Sequence, residues 1–135
     1  RFFFDYFCSL EFKSMKNKKT LVLGATTKPE RYAFKAITNL VAKGHSVLAI
    51  GQNAGEVAGV KIQTKALPIK SVDTVSLYLN PARQREYYNY IIEAHPKRVI
   101  FNPGTENPEF YQLLALNDIQ AEVACTLVLL ATNQY

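Results

Sequence analysis

The sequence predicts an α/β fold in three layers, a mostly parallel sheet of five or six strands with helices on both faces. Three observations carry that expectation. Short β-prone runs alternate with helix-patterned segments from residue 19 onward, the pattern of parallel strands joined by crossover helices. The first strand runs through a glycine into an amphipathic helix. Glycine, proline or a side-chain amide opens each loop at a strand's carboxyl end, at Gly24, Gly51, Asn80 and Asn102. In doubly wound sheets a ligand crevice lies at those ends, where strand order reverses.

The elements follow in order. Thr20–Leu23 is β-prone and Gly24 ends it. From Glu30 the pattern turns helical, with Ala33, Ile37, Leu40, Val41 and Gly44 on one face. Gly44-His45 makes a turn, Ser46–Ile50 reads as the second strand and Gly51–Gly55 as a loop. Val60–Gln63 alternates, and its length and lysine suit an edge strand. Ala66–Ile69 is a connector broken by Pro68, and Thr74–Leu79 is the fourth strand. Asn80-Pro81 pairs an N-cap residue with proline at the first helical position, and that helix runs to about Ala94 before His95-Pro96. Arg98–Phe101 is the fifth strand, Pro108 opens a helix to about Leu116, and Ile119–Val123 is the sixth strand. Cys125–Tyr135 reads either as a final helical turn or as an apolar tail on the sheet.

At 135 residues the chain suits one domain with a single core, spanning residues 15–135. Hydrophobic content of 48% and charged content of 20% are ordinary for a globular protein. No apolar run reaches the roughly 20 residues of a membrane-spanning helix. Cys8 and Cys125 lie far apart and only two histidines are present, so neither a metal site nor a disulfide scaffold is expected, and the cytoplasm is the default compartment. Residues 1–14, crowded with phenylalanine, read as an N-terminal extension. Met15, directly ahead of Lys16–Lys19, reads as the natural start, the alternative being an aromatic arm packed on the domain or a partner subunit.

The net charge of +5 fits anionic ligands or simply a lysine-rich solvated surface. The residues from Gly24 to Pro29 are more specific. A strand–loop–helix junction offers free backbone N–H groups and the positive end of a helix dipole, a setting for a phosphate. The stretch Gly24-Ala25-Thr26-x-x-Pro29-x-Arg31, with Gly44–Val47, Val72–Val75 and Gly104, resembles the CoA-binding family, small stand-alone Rossmann-like relatives of the nucleotide-binding domain of succinyl-CoA synthetase. The resemblance runs from about Lys19 to the C-terminus. It implies a Rossmann-like domain that binds CoA or an acyl-CoA, and because none of the crevice loops carries an acid–base pair the expectation is binding without catalysis. The CoA diphosphate would lie at Gly24, Ala25, Thr26 and Thr27, with Lys28 and Arg31 as nearby cations. The adenosine end would lie near Gln52 and Asn53, and the pantetheine arm near Asn80, Pro81, Asn102 and Gly104. Two stretches differ from the family's pattern: Ile50-Gly51-Gln52 stands for Val-Asn-Pro, and Asn102-Pro103 replaces a glutamine.

Two other function classes stay open. An NAD(P)-dependent oxidoreductase would share the fold, but the first loop lacks Gly-x-Gly-x-x-Gly and no Asp or Glu ends the second strand, which leaves NADP ahead of NAD. Nucleic-acid binding ranks last, because the basic residues are scattered and no recognition motif appears. A homo-oligomer is compatible with all three. His45 and His95 read as structural, Cys125 as a buried thiol, and Tyr87, Tyr88 and Tyr90 as packing residues.

Overall fold

The structure, a computed structural model, describes residues 16–135; the expected extension 1–14 and start at Met15 lie outside them. Strands β1 (Thr20–Ala25), β2 (Val47–Gly51), β3 (Gly55–Val57), β4 (Val60–Gln63), β5 (Thr74–Leu77), β6 (Arg98–Phe101) and β7 (Gln120–Val123) form one sheet. Its order is β3-β4-β2-β1-β5-β6-β7, with every pair parallel except β3–β4. The helices are α1 (Tyr32–Ala42), α2 (Pro81–Gln84), α3 (Tyr88–Ala94), α4 (Pro108–Leu116) and α5 (Thr126–Ala131).

Alternation along β1 builds the three layers. Leu21 and Leu23 point to one face, where Ile91 of α3 and Phe110 and Leu114 of α4 cover them. Val22 points to the other, against Ala33, Ile37 and Leu40 of α1 and Leu130 of α5. Both clusters are sealed from solvent, and each fully buried aliphatic side chain contributes about 1.5–3 kcal/mol. The chain winds outward from β1 through α1 to β2, then returns to place β5 on the other flank of β1. The strand order therefore reverses between β1 and β5.

Several expectations are corrected. The sheet has seven strands, because Gly55–Val57 folds back as an antiparallel partner of β4 and takes the edge assigned to Val60–Gln63. Gly24 does not end β1; it sits at a bulge with φ +93°, and the strand continues to Ala25. The first helix starts at Tyr32 rather than Glu30, which lengthens the loop. The helix expected from Pro81 to about Ala94 is broken by a 3-10 turn at Arg85–Tyr87. Residues 126–131 form a true helix.

The amino ends of the strands close over a polar cluster. Buried Arg98 donates to Thr74 Oγ1 (2.9 Å), Glu122 Oε1 (3.0 Å) and the Tyr135 carbonyl (2.6 Å). His45 Nδ1 accepts from the Lys18 amide at 2.9 Å, and its ring packs on Tyr135. Burial first, then the Lys18 and Arg98 charges, hold the His45 pKa below its ordinary value.

Candidate functional site

A cleft of about 540 Å³ opens at the opposite, carboxyl ends of the strands, over the reversal between β1 and β5. Its floor is the loop Gly24–Lys28 with Arg31–Ala33 at the start of α1. Ile50–Asn53, following β2, forms one wall. The other is built from Tyr78–Asn80, Arg83 and Tyr87, closed off by Pro103–Thr105. Of the residues singled out in the sequence, Gly24, Ala25, Thr26, Thr27, Lys28, Arg31, Gln52, Asn53, Asn80 and Gly104 line the cleft, and Pro81 and Asn102 do not.

The floor is fixed by close packing from below. A methyl group on Gly24 would lie 2.9 Å from the Tyr78 carbonyl carbon, and one on Gly51 only 2.2 Å from the Ala25 oxygen. On Gly55 it would meet Thr27 Cγ2 at 2.4 Å. These glycines let β5, β2 and β3 press against the first loop, so their smallness serves the protein's own backbone.

The electrostatics suit an anion. Arg31, the N-cap of α1, is extended (φ −84°, ψ 147°) and its side chain caps nothing, leaving the first turn's N–H groups without a side-chain acceptor. The Lys28 amide turns back to Thr26 Oγ1 at 3.2 Å. Among the described residues no carboxylate pairs with Lys28, Arg31 or Arg83. With the Gln52 amide oriented so that its oxygen faces the guanidinium, Arg83 donates to it from Nη2 (2.6 Å) and Nη1 (2.8 Å). That contact spans the mouth between the β2 wall and the α2 wall.

Hydrogen bonds from within hold the far wall. The Asn80 side chain caps α2 by accepting from the Arg83 amide at 3.0 Å. Buried Gln84 donates to the carbonyls of Leu79 and Thr105, both at 2.8 Å, and accepts from Asn107 at 2.9 Å. Asn107 also caps α4 through the Phe110 amide. Asn102 faces inward, 1% exposed. It donates to Ser76 Oγ and the Leu77 carbonyl, both at 2.9 Å, and accepts from the Thr126 amide at 2.8 Å. Its amide thus ties β5, β6 and α5 together and is turned away from the cleft.

Tyr78 lines the cleft, yet its hydroxyl is buried with no hydrogen-bond partner among the described residues. Burial pushes this phenol up to about 12, opposed by the nearby Ser76 and Thr126 hydroxyls, which bond one another at 2.8 Å. Sequence reasoning also missed Tyr32, Arg83 and Thr105 as lining residues, and read Tyr87 only as packing. For Arg83 a signal existed: it stands three residues after the Asn80 cap, in the first turn, which hangs over the crevice. Tyr88, by contrast, packs on Phe110 with ring centroids 4.2 Å apart.

A family model described as "CoA binding domain" matches residues 18–131. The chain belongs to the CoA binding domain family. A crystal structure of an uncharacterized protein is 47% identical, with a TM-score of 0.86 over 89% of this chain and 99% of that one. A hypothetical protein from Pyrococcus horikoshii OT3 is 27% identical, with a TM-score of 0.74 over 89% and 86%. The dinucleotide forming acetyl-coenzyme A synthetase 1 of Ca. Korarchaeum cryptofilum, in complex with phosphate and ADP, is 19% identical with a TM-score of 0.63. It matches 85% of this chain and 27% of that one, a likeness of fold. Among curated proteins none matches. In this CoA binding domain no group of three or more His, Cys, Asp or Glu among the described residues is placed to hold a metal ion. No described helix is long and apolar enough to cross a membrane.

Proposed function

We propose that this CoA binding domain holds CoA or an acyl-CoA in the cleft and performs no chemistry on it. The observation that carries the reading is the side-chain-free N-terminus of α1 beside Lys28 and Arg31, on the floor of the cleft at the strand reversal. A diphosphate there would accept from the backbone of the first loop and meet two cations that have no carboxylate partner among the described residues. The walls supply Gln52, Asn53 and Asn80 for the polar parts of the nucleotide, and Tyr32 and Tyr87 offer aromatic faces.

The lack of catalysis is supported by the lining itself. It holds Lys28, Arg31, Arg83 and three tyrosines as its ionisable groups, and no Asp, Glu, His or Cys. A general acid–base pair working near neutral pH draws on groups from that second set; Lys28 is exposed to solvent.

Calorimetric titration with CoA, acetyl-CoA, NAD and NADP tests the reading. Saturable binding of CoA or acetyl-CoA, at least about tenfold tighter than either nicotinamide cofactor, is expected; each tenfold step corresponds to about 1.4 kcal/mol. Preference for NADP, or no binding of any CoA, would reject it, and turnover of bound acyl-CoA would reject the non-catalytic part.

A further inference from the structure

We propose that Arg83 selects a ligand whose ribose carries a phosphate, so that CoA is favoured over 3′-dephospho-CoA. The proposal rests on the reading of the cleft as a CoA site and adds a specificity to it.

Through Gln52, Arg83 reaches the wall that follows β2, the end of the crevice where doubly wound sheets meet the ribose of a nucleotide. Sheets that take an unmodified ribose place a carboxylate there to hold its hydroxyls, and a carboxylate repels a phosphate. Here the wall reads Ile50-Gly51-Gln52-Asn53, with no acid.

Charge makes the second point. Lys28 and Arg31 lie on the floor with the first loop, where a diphosphate would be met. Arg83 is a third cation, on the far wall, beyond the needs of that diphosphate. It is half-buried and sits in α2, a helix of a single turn. No carboxylate among the described residues neutralises that charge.

The third point is the nature of its partner. Both Nη atoms converge on one neutral amide oxygen of an exposed side chain, 2.6 and 2.8 Å away. A phosphate oxygen offers the same donors a charge-assisted bond roughly twice as strong. Gln52 thus holds the guanidinium fork in place over the cleft mouth and yields it when a phosphate arrives.

Titrations of the wild type, Arg83→Gln and Arg83→Lys with CoA and with 3′-dephospho-CoA decide the matter. The wild type is expected to bind CoA about tenfold or more tightly than the dephospho form, the scale of one charge-assisted contact. Arg83→Gln is expected to remove that preference by weakening CoA alone, with dephospho-CoA affinity held within about twofold as the internal check on folding. Arg83→Lys is expected to keep part of the preference, since a lysine retains the charge but not the fork. A wild type that binds both ligands equally, or an Arg83→Gln variant that weakens both alike, would overturn this inference and leave the CoA site standing. A wild type that binds neither would overturn both.

Discussion

Asn102 shows how a single side chain can look like a ligand contact and serve the interior. Its position after β6, at the mouth of a crevice loop, suggests a role in binding; its amide instead spends all its hydrogen bonds on Ser76, Leu77 and Thr126. Replacing it with alanine strands a buried carbonyl and the first amide of α5. Asn102→Ala is expected to cost about 2–4 kcal/mol, since each orphaned buried group costs about 1–3 kcal/mol. CoA affinity, measured well below the melting temperature, should change by no more than about threefold, under 1 kcal/mol. A large loss of CoA binding in a variant with unchanged melting would show that the amide reaches the ligand. The first loop and its cations were legible because their order along the chain is itself the motif. The place of Arg83 could have been read from the Asn80 cap three residues before it, but its contact with Gln52, 31 positions earlier, could not, because only the sheet brings the two together.

Elements were legible where they are long enough to show a period. The buried positions Ala33, Ile37 and Leu40 of α1 follow the spacing read in the sequence, and the helices led by Pro81 and Pro108 begin at the prolines read as their starts. Strand β3 escaped notice because Gly55-Glu56-Val57 is too short to alternate and buries only Val57. It has consequences for the cleft: Gly55 backs onto Thr27, and Gly51 of β2 backs onto the Ala25 carbonyl. The shape of the first loop is therefore imposed by two neighbouring strands as well as by its own residues. The start of α1 was misplaced because Glu30 continues the helical composition, whereas Pro29 and Glu30 form a turn closed by the Arg31 amide on the Lys28 carbonyl at 3.1 Å, and Arg31 itself is extended. That two-residue delay leaves the helix end open toward the cleft.

The whole molecule separates its tasks by end. At the amino ends of the strands, Arg98, Glu122, His45 and Tyr135 lock the sheet, far from the cleft loops at the carboxyl ends. Burial first, then the Lys18 and Arg98 charges, favour the neutral His45 ring and depress its pKa below 6.5, and a proton on Nδ1 would face the Lys18 N–H. The unfolded chain then binds the proton first as pH falls. His45 stabilises the fold fully above about pH 6.5, and that contribution is lost as pH drops through the lower folded pKa. His45→Asn keeps an acceptor for the Lys18 amide without the titration. Melting curves of the two proteins across pH 5–8 should converge toward acid and diverge in the wild type's favour above about pH 6.5. Parallel curves would show that His45 is not coupled to folding.

The central claim concerns the other end, and a crystal structure grown with CoA tests it most directly. The CoA diphosphate is expected over Thr26–Lys28 at the start of α1, with the ribose phosphate against Arg83. CoA bound elsewhere on the surface, with the cleft filled only by solvent, would contradict it.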